Sequence, residues 1–241
     1  MKKVLTLVAL ALAFVTAAAT SAFAQAGHEY APLEEKTVNY KDWTLNSVKD
    51  GKPVNLRSFA QGKKLVLVVY FAPWCGNWRN EAPVAAKLYE KYKAAGLDVI
   101  GISEYAPPAD TVAFFGEGGS PYTVVSESES REARDKTAHF NYRQATGDTR
   151  RWGSPYNVFL EPAKLSKTGE VLAEKAWVVN GELMEEEVEN FIRARLGLDK
   201  ADKMPAATSH APAFAPESGK AKLLKATASS SSQTVQPCKE P

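Results

Sequence analysis

The residue best placed to do chemistry is Cys75, which follows a β-type apolar run over residues 65–71 and the break Ala72-Pro73. After Cys75 the apolar residues change to helical spacing over residues 84–95. A cysteine at the start of a helix lies near free backbone N–H groups and the positive end of the helix dipole, and both favour the thiolate over the thiol. The sequence therefore predicts a nucleophilic thiol at Cys75.

The chain has two cysteines, too few for a disulfide framework, so each needs its own explanation. A single cysteine can form a mixed disulfide or a sulfenic acid, but another thiol must complete the reaction. That thiol could come from a small molecule, from a partner protein or from Cys238, which a flexible tail of about 40 residues could bring to Cys75. The alternative is that Cys238 is an incidental residue of the tail.

The first 24 residues have the pattern of a secretory signal peptide. Lys2 and Lys3 precede an apolar stretch over residues 4–15, and Ala22-Phe23-Ala24 forms a cleavage signal. The apolar stretch is too short for a stable membrane span. We expect an exported protein, periplasmic or extracellular, that has no stable membrane insertion after the signal peptide is removed.

The balance of basic and acidic residues does not support nucleic-acid binding. Of the 30 basic residues, Lys2 and Lys3 belong to the signal peptide, and the remaining 28 equal the 28 acidic residues. Residues 25–198 are enough for one domain with a sizeable core. Residues 199–241 are rich in Ala, Pro, Ser and Lys and are predicted to be a disordered tail, since they offer little apolar surface to bury.

Periodicity and turn signals between residues 42 and 197 indicate the element order β-β-(β-α)-β-α-β-α-β-β-α. Asp50-Gly51 marks a hairpin, and residues 65–71 form a central strand that is covered on both faces. Further predicted elements include a helix over residues 129–140, a polar loop over 143–152 and strands at 156–160 and 171–179. The fold class is α/β, with a mixed sheet flanked by helices.

Several motifs, taken in order, resemble those of the exported thioredoxin-like proteins of the TlpA and redoxin group. The resemblance covers roughly residues 31–197. The matching segments are Trp43-Thr44-Leu45 with Asp50-Gly51-Lys52, Gly62-Lys63-Lys64, Phe71-Ala72-Pro73-Trp74-Cys75 with Arg79, Glu81 and Pro83, Ser154-Pro155-Tyr156, and Thr168-Gly169-Glu170.

The resemblance implies a thioredoxin fold with an N-terminal β-hairpin and with Cys75 as the attacking thiol. It also implies that Pro155 is a cis-proline and that Ser154 and Pro155 hold an extended substrate segment. Trp74 would shape the contact surface beside the sulfur. Trp78 stands where the family has its second cysteine, so this chain departs from the Cys-x-x-Cys pattern. In the substrate-binding interpretation Trp78 belongs to the same aromatic surface.

Two auxiliary residues follow from the same motif. Arg79 could favour the thiolate or could be a solvated surface residue, and Glu81 could move protons or cap the first helical turn. His139 belongs to a helix outside every motif, which favours a structural or surface role. The sequence offers no Cys/His cluster for a metal, and no cofactor is expected.

Three functions remain open at this point. The first is thiol–disulfide exchange through Cys75, with protein or small-molecule thiols and disulfides as partners. The second is a non-catalytic thioredoxin-fold module that binds extended peptides. The third is a peroxiredoxin-type peroxidase, which Ala72 and Val68 disfavour because those enzymes have threonine and proline at the corresponding positions. The oligomeric state is not predicted.

Overall fold

The computed structural model describes residues 27–200 and Cys238. The expected signal peptide at residues 1–24 and the expected tail, apart from Asp199, Lys200 and Cys238, therefore lie outside the described residues. Within the described part, no helix is both long and apolar enough to cross a bilayer.

The described part contains ten strands and five α-helices. The strands are β1 (Tyr30–Ala31), β2 (Glu34–Lys41), β3 (Thr44–Ser47), β4 (Pro53–Asn55), β5 (Leu65–Phe71), β6 (Leu97–Ser103), β7 (Thr123–Ser126), β8 (Tyr156–Leu160), β9 (Val171–Val179) and β10 (Glu182–Leu183). The helices are α1 (Leu56–Phe59), α2 (Gly76–Tyr92), α3 (Pro108–Phe115), α4 (Ala138–Thr146) and α5 (Glu185–Leu196).

Eight strands form one mixed sheet in the order β2-β9-β8-β5-β6-β7-β3-β4. The central strand β5 pairs in parallel with β6 and antiparallel with β8, and β8 pairs antiparallel with β9. The antiparallel pair β3–β4 is the expected hairpin around Asp50-Gly51. This architecture confirms the predicted thioredoxin fold with its mixed sheet, flanking helices and N-terminal hairpin.

Every residue of β5 is buried, so alternate side chains enter two separate cores. Val66, Val68 and Tyr70 face a cluster built largely from β2, β8 and β9. The other face of β5 packs against helices α2 and α5. The burial confirms the prediction of a central strand covered on both faces, and it fixes the end of β5 where the chain turns toward Cys75.

Trp78 belongs to this second core. Its side chain has no exposed surface, and its ring stacks on Phe71 with 4.3 Å between ring centres and lies 5.8 Å from the centre of the Phe114 ring. The proposed surface role of Trp78 in substrate binding is therefore wrong, because the first turn of α2 directs the side chain inward. Trp78 thus supplies a core side chain at the position where the resemblance implies a second cysteine.

The predicted helix over residues 129–140 is displaced. Helix α4 begins at Ala138, because Thr137 Oγ1 accepts a hydrogen bond from Phe140 N at 3.0 Å and caps its N-terminus. It ends at Gly147, whose φ of 81° is left-handed. Residues 143–146, predicted as loop, are thus helical, and a short 3₁₀ segment at Arg131–Lys136 precedes the helix.

Strand β2, which pairs antiparallel with β9 at the sheet edge, has no clear signal in the sequence. Val38 and Tyr40 point into the core, but the charged residues that precede them hide the alternation. The register shifts between Thr37 and Tyr40, where Asn39 has a φ of 46°. A bulge of this kind interrupts the two-residue period by which strands are identified.

Replacing Trp78 with alanine is expected to lower the free energy of unfolding by about 3–5 kcal/mol, because the change leaves a cavity in the core. The exposed neighbour Arg79 provides the control, since Arg79→Ala is expected to stay within about 0.5 kcal/mol of the parent. Urea denaturation of oxidised protein measures both. Equal, small effects at the two positions would contradict the placement of Trp78 in the core.

Candidate active site

Cys75 is the N-cap residue of α2, a helix of 17 residues. The turn from β5 is closed by Cys75 N, which donates to Ala72 O at 3.0 Å, and the helix opens with Arg79 N donating to Cys75 O at 3.2 Å. The N–H groups of the first turn have no acceptor within the helix. Their positive potential favours negative charge on a sulfur at this position.

A second loop meets Cys75 from the side of β8. The Ser154–Pro155 peptide is cis, as the resemblance implies. Ala72 N donates to Ser154 Oγ at 2.9 Å, and Ser154 O lies 3.2 Å from Cys75 Sγ. Ser154 thus ties this loop to the end of β5 and places a carbonyl oxygen beside the sulfur.

Cys75 is joined to Cys238 by a disulfide, with 4.6 Å between the two Cα atoms and a sequence separation of 163. Cys238 Sγ also lies 3.5 Å from Ser154 O, and its side chain is half-buried against the core on the α2 side of the sheet. Cys75 has no exposed surface in this state. The structure therefore places the two cysteines of the chain in one site.

Trp74 forms the rim of the site with Trp152. The indole N–H of Trp74 donates to Tyr105 O at 3.2 Å, and the Trp74 and Trp152 rings meet edge to face at 5.2 Å. The guanidinium of Arg131 lies 4.2 Å from the centre of the Trp74 ring. Trp152 and Arg131 were not singled out from the sequence, because neither belongs to a motif.

His139 lies behind the site in the fold, although it belongs to none of the motifs in the sequence. The carbonyl of Gly153 can only accept, so His139 Nε2 donates to it at 3.1 Å, and Nδ1 accepts from the Tyr105 hydroxyl at 2.9 Å. Burial, reinforced by the charge of Arg143, holds the pKa of His139 well below its usual range. A neutral imidazole therefore links the loop before Pro155 to Tyr105.

Tyr105 is held in an uncommon backbone conformation, with a φ of 60°. Ser128 Oγ accepts from Tyr105 N at 2.9 Å and donates to Glu104 Oε2. Burial raises the pKa of the Glu104 carboxyl, and the nearby Glu127 raises it further. This network fixes the carbonyl that receives the Trp74 indole.

Glu81 is buried in α2, so its expected role as a cap of the first turn is not observed. Its Oε2 accepts from Asn157 Nδ2 at 3.1 Å and from Leu183 N at 2.7 Å, while Oε1 has no partner among the described residues. Burial raises the pKa of Glu81 to about 8, although the two hydrogen bonds oppose the shift. The side chain can hold a proton at neutral pH inside the helix that carries Cys75.

Arg79 is exposed, and its guanidinium lies 5.5 Å from the centre of the Phe114 ring. It therefore packs toward α3. Among residues 27–200 and Cys238, no group of three or more His, Cys, Asp or Glu side chains is arranged to hold a metal ion.

A cysteine at a helix N-terminus that faces a cis-proline loop at the end of the central strand is the arrangement of the thioredoxin fold. The AhpC/TSA family model matches residues 37–150. Thioredoxin-2 of Saccharomyces cerevisiae is 38% identical over 76 residues, which cover 28% of this chain and 72% of that protein. The chain belongs to the thioredoxin-like family.

Other relatives are matched over shorter parts of their length. Protein disulfide-isomerase of Drosophila melanogaster is 46% identical over 54 residues, 22% of this chain and 11% of that protein. Chloroplastic peroxiredoxin Q of Gentiana triflora is 32% identical over 111 residues, 46% of this chain and 43% of that protein. The chain thus spans about a tenth of the first of these relatives and less than half of the second.

Among solved structures, a secreted Mycobacterium tuberculosis disulfide oxidoreductase homologous to E. coli DsbE is 17% identical, with a TM-score of 0.44 over 63% of this chain and 95% of that chain. A putative thiol:disulfide interchange protein DsbE from Chlorobium tepidum is 22% identical, with a TM-score of 0.45 over 69% of this chain and 100% of that chain.

The raised pKa of Glu81 predicts a pH-dependent stability. Between its ordinary value of 4.5 and about 8, the folded protein holds a proton that the unfolded chain releases, so the free energy of unfolding falls as pH rises through this window. At about 1.4 kcal/mol per pKa unit, the whole effect over this window is on the order of 5 kcal/mol. Glu81→Gln is expected to remove this part of the slope.

Urea denaturation of both oxidised proteins at pH 5 and pH 8 measures the difference. Other titrating groups contribute equally to the two proteins and cancel in the comparison. If the free energy of unfolding changes by the same amount between pH 5 and pH 8 in the parent and in Glu81→Gln, the carboxyl of Glu81 is ionised in the folded state throughout this range.

Proposed function

We propose that the protein is an exported thiol–disulfide oxidoreductase in which Cys75 is the nucleophile. The observation that carries the proposal is the disulfide at Cys75, formed at the N-terminus of a 17-residue helix beside Ser154 and Pro155. This position is suited to the chemistry, because the attacking species in disulfide exchange is the thiolate.

In the proposed reaction the Cys75 thiolate attacks one sulfur of a substrate disulfide. A bond forms between Cys75 Sγ and that sulfur, the substrate S–S bond breaks, and the second substrate sulfur leaves as a thiolate. This step involves no net oxidation or reduction, since one disulfide replaces another. A second thiol must then attack the mixed disulfide to release the product.

Substrate binding is assigned to Trp74 and to the Ser154–Pro155 segment. Ser154 O already lies within 3.5 Å of both sulfurs of the Cys75–Cys238 disulfide, which supports its place next to a mixed disulfide with a substrate. The edge-to-face contact with Trp152 and the bond to Tyr105 O hold the Trp74 ring in one orientation. The partners are protein or small-molecule thiols and disulfides.

Export rests on the signal-like pattern of residues 1–24, with cleavage after Ala24. It agrees with the redox chemistry, because disulfides persist in oxidising compartments such as the bacterial periplasm and the extracellular space. Either destination, periplasmic or extracellular, meets that requirement.

Two other functions receive less support. Peroxide reduction is favoured by the AhpC/TSA match and the peroxiredoxin Q relatives, but Ala72 and Val68 lack the side chains of that active site. A purely peptide-binding module would have no use for a thiol at the N-cap of α2, and the disulfide there supports the redox interpretation over it.

The test is the rate of alkylation of Cys75 against pH in the mature Cys238→Ser protein. We expect an apparent pKa below the roughly 8.5 of a free cysteine, because the helix N-terminus stabilises the thiolate. The Cys75→Ser protein, in which only Cys238 can react, provides the control.

An apparent pKa for Cys75 at or above the free-cysteine value, or no alkylation of the folded protein, would overturn the enzymatic proposal. The remaining interpretation would be a thioredoxin-fold protein that binds without redox chemistry. Circular dichroism of each variant shows that the comparison is made between folded proteins.

A further inference from the structure

We propose that Cys238 is the resolving cysteine of this enzyme. In this assignment the second thiol comes from the C-terminal end of the chain, 163 residues after Cys75, instead of from the first turn of α2. The inference rests on the proposed function, because a resolving thiol has a role only if Cys75 forms mixed disulfides.

The second position of the Cys-x-x-Cys pattern is not a cysteine in this chain. Trp78 occupies it, is fully buried, and packs against Phe71 and Phe114. An indole has no sulfur with which to attack a disulfide. Any resolution within the chain must therefore use Cys238, which is the only other cysteine in the sequence.

The contacts of Cys238 place its sulfur next to Cys75 Sγ, the atom that must be attacked to break the mixed disulfide. Its sulfur is bonded to Cys75 Sγ and lies 3.5 Å from Ser154 O, the same carbonyl oxygen that lies 3.2 Å from Cys75 Sγ. Its side chain packs against the same core cluster that contains Cys75 and Trp78. A cysteine that was incidental to the tail would have no reason to be half-buried at this site.

The reaction balances with these two thiols. The Cys238 thiolate attacks Cys75 Sγ of the mixed disulfide, the Cys75–Cys238 bond forms, and the substrate sulfur leaves as a thiolate. The substrate disulfide has then gained two electrons, and the pair of cysteines has lost them. An external dithiol returns the pair to the reduced state and leaves as a disulfide.

Tethering gives Cys238 an advantage over thiols in solution. A thiol on the same chain attacks in an intramolecular step, and the effective concentration of such a step is on the order of millimolar for short linkers and lower for longer ones. Free thiols at micromolar concentration would resolve the same intermediate far more slowly. In the resulting disulfide Cys75 has no exposed surface and Cys238 is half-buried, so an external dithiol must attack at Cys238 Sγ, with Cys75 leaving as the thiolate.

The experiment treats reduced, mature, full-length protein with one equivalent of 5,5′-dithiobis(2-nitrobenzoate), and follows released thionitrobenzoate and the intact mass. The parent is expected to release both halves of the reagent and to end as the unmodified Cys75–Cys238 disulfide. Cys238→Ser is expected to release one half and to retain the other on Cys75. Ser232→Ala, a matched change of a hydroxyl in the same tail, is expected to behave as the parent.

A parent protein that keeps thionitrobenzoate on Cys75 as stably as Cys238→Ser does would overturn the assignment of Cys238 while leaving Cys75 as the nucleophile. Failure of Cys238→Ser to form the adduct faster than its urea-unfolded form would instead remove the proposed function on which the inference rests. Rapid release of both halves by the parent, with one half retained by Cys238→Ser, supports both.

Discussion

The site depends on the hydrogen bond between Ala72 N and Ser154 Oγ, which joins the end of the central strand to the loop that precedes β8. Because β5 is buried on both faces, its end cannot move without disturbing two cores. The bond therefore fixes the distance between the N-terminus of α2 and the Ser154 carbonyl. Cys75, the cis-proline and the disulfide partner all take their positions from this junction.

Behind the junction, a second layer of buried polar groups holds the same two loops. His139 bonds to Gly153 O on one side and to the Tyr105 hydroxyl on the other, and Tyr105 O receives the Trp74 indole. Buried hydrogen-bonded networks of this kind are stable only when each member has its partner. These contacts hold Trp74 and the loop before Pro155 in place around the Cys75 sulfur.

Trp78, at the position where the resemblance implies a second cysteine, affects both the core and the chemistry. The large ring adds a stacking contact with Phe71 and fills the space between α2 and the sheet. With tryptophan at this position, no thiol lies one turn from Cys75 in α2. A second cysteine elsewhere in the sequence then becomes the natural source of the missing thiol, and the Cys75–Cys238 disulfide is consistent with that solution.

Much of this arrangement could be predicted from local sequence, because strand β5, the hairpin and the Cys75 turn have strong short-range signals. The inward orientation of Trp78 could not be predicted, because its place in the active-site motif suggests a surface role. Its burial depends on packing against α3, which is distant in sequence. His139 and Trp152 reach the site only through long-range packing. The pairing of Cys75 with Cys238 was one of several possibilities, because no local pattern links residues so far apart.

The most direct test is a redox titration of the mature protein in glutathione buffers, at a fixed ratio of reduced to oxidised glutathione and with about tenfold different total concentrations. Formation of the Cys75–Cys238 disulfide releases two glutathione thiols, whereas a glutathione adduct on Cys75 releases one. If Cys238 resolves the mixed disulfide on Cys75, the oxidised fraction falls as total glutathione rises, and no adduct is seen by mass. An oxidised fraction that depends on the ratio alone, with glutathione retained on Cys75, would contradict this role of Cys238.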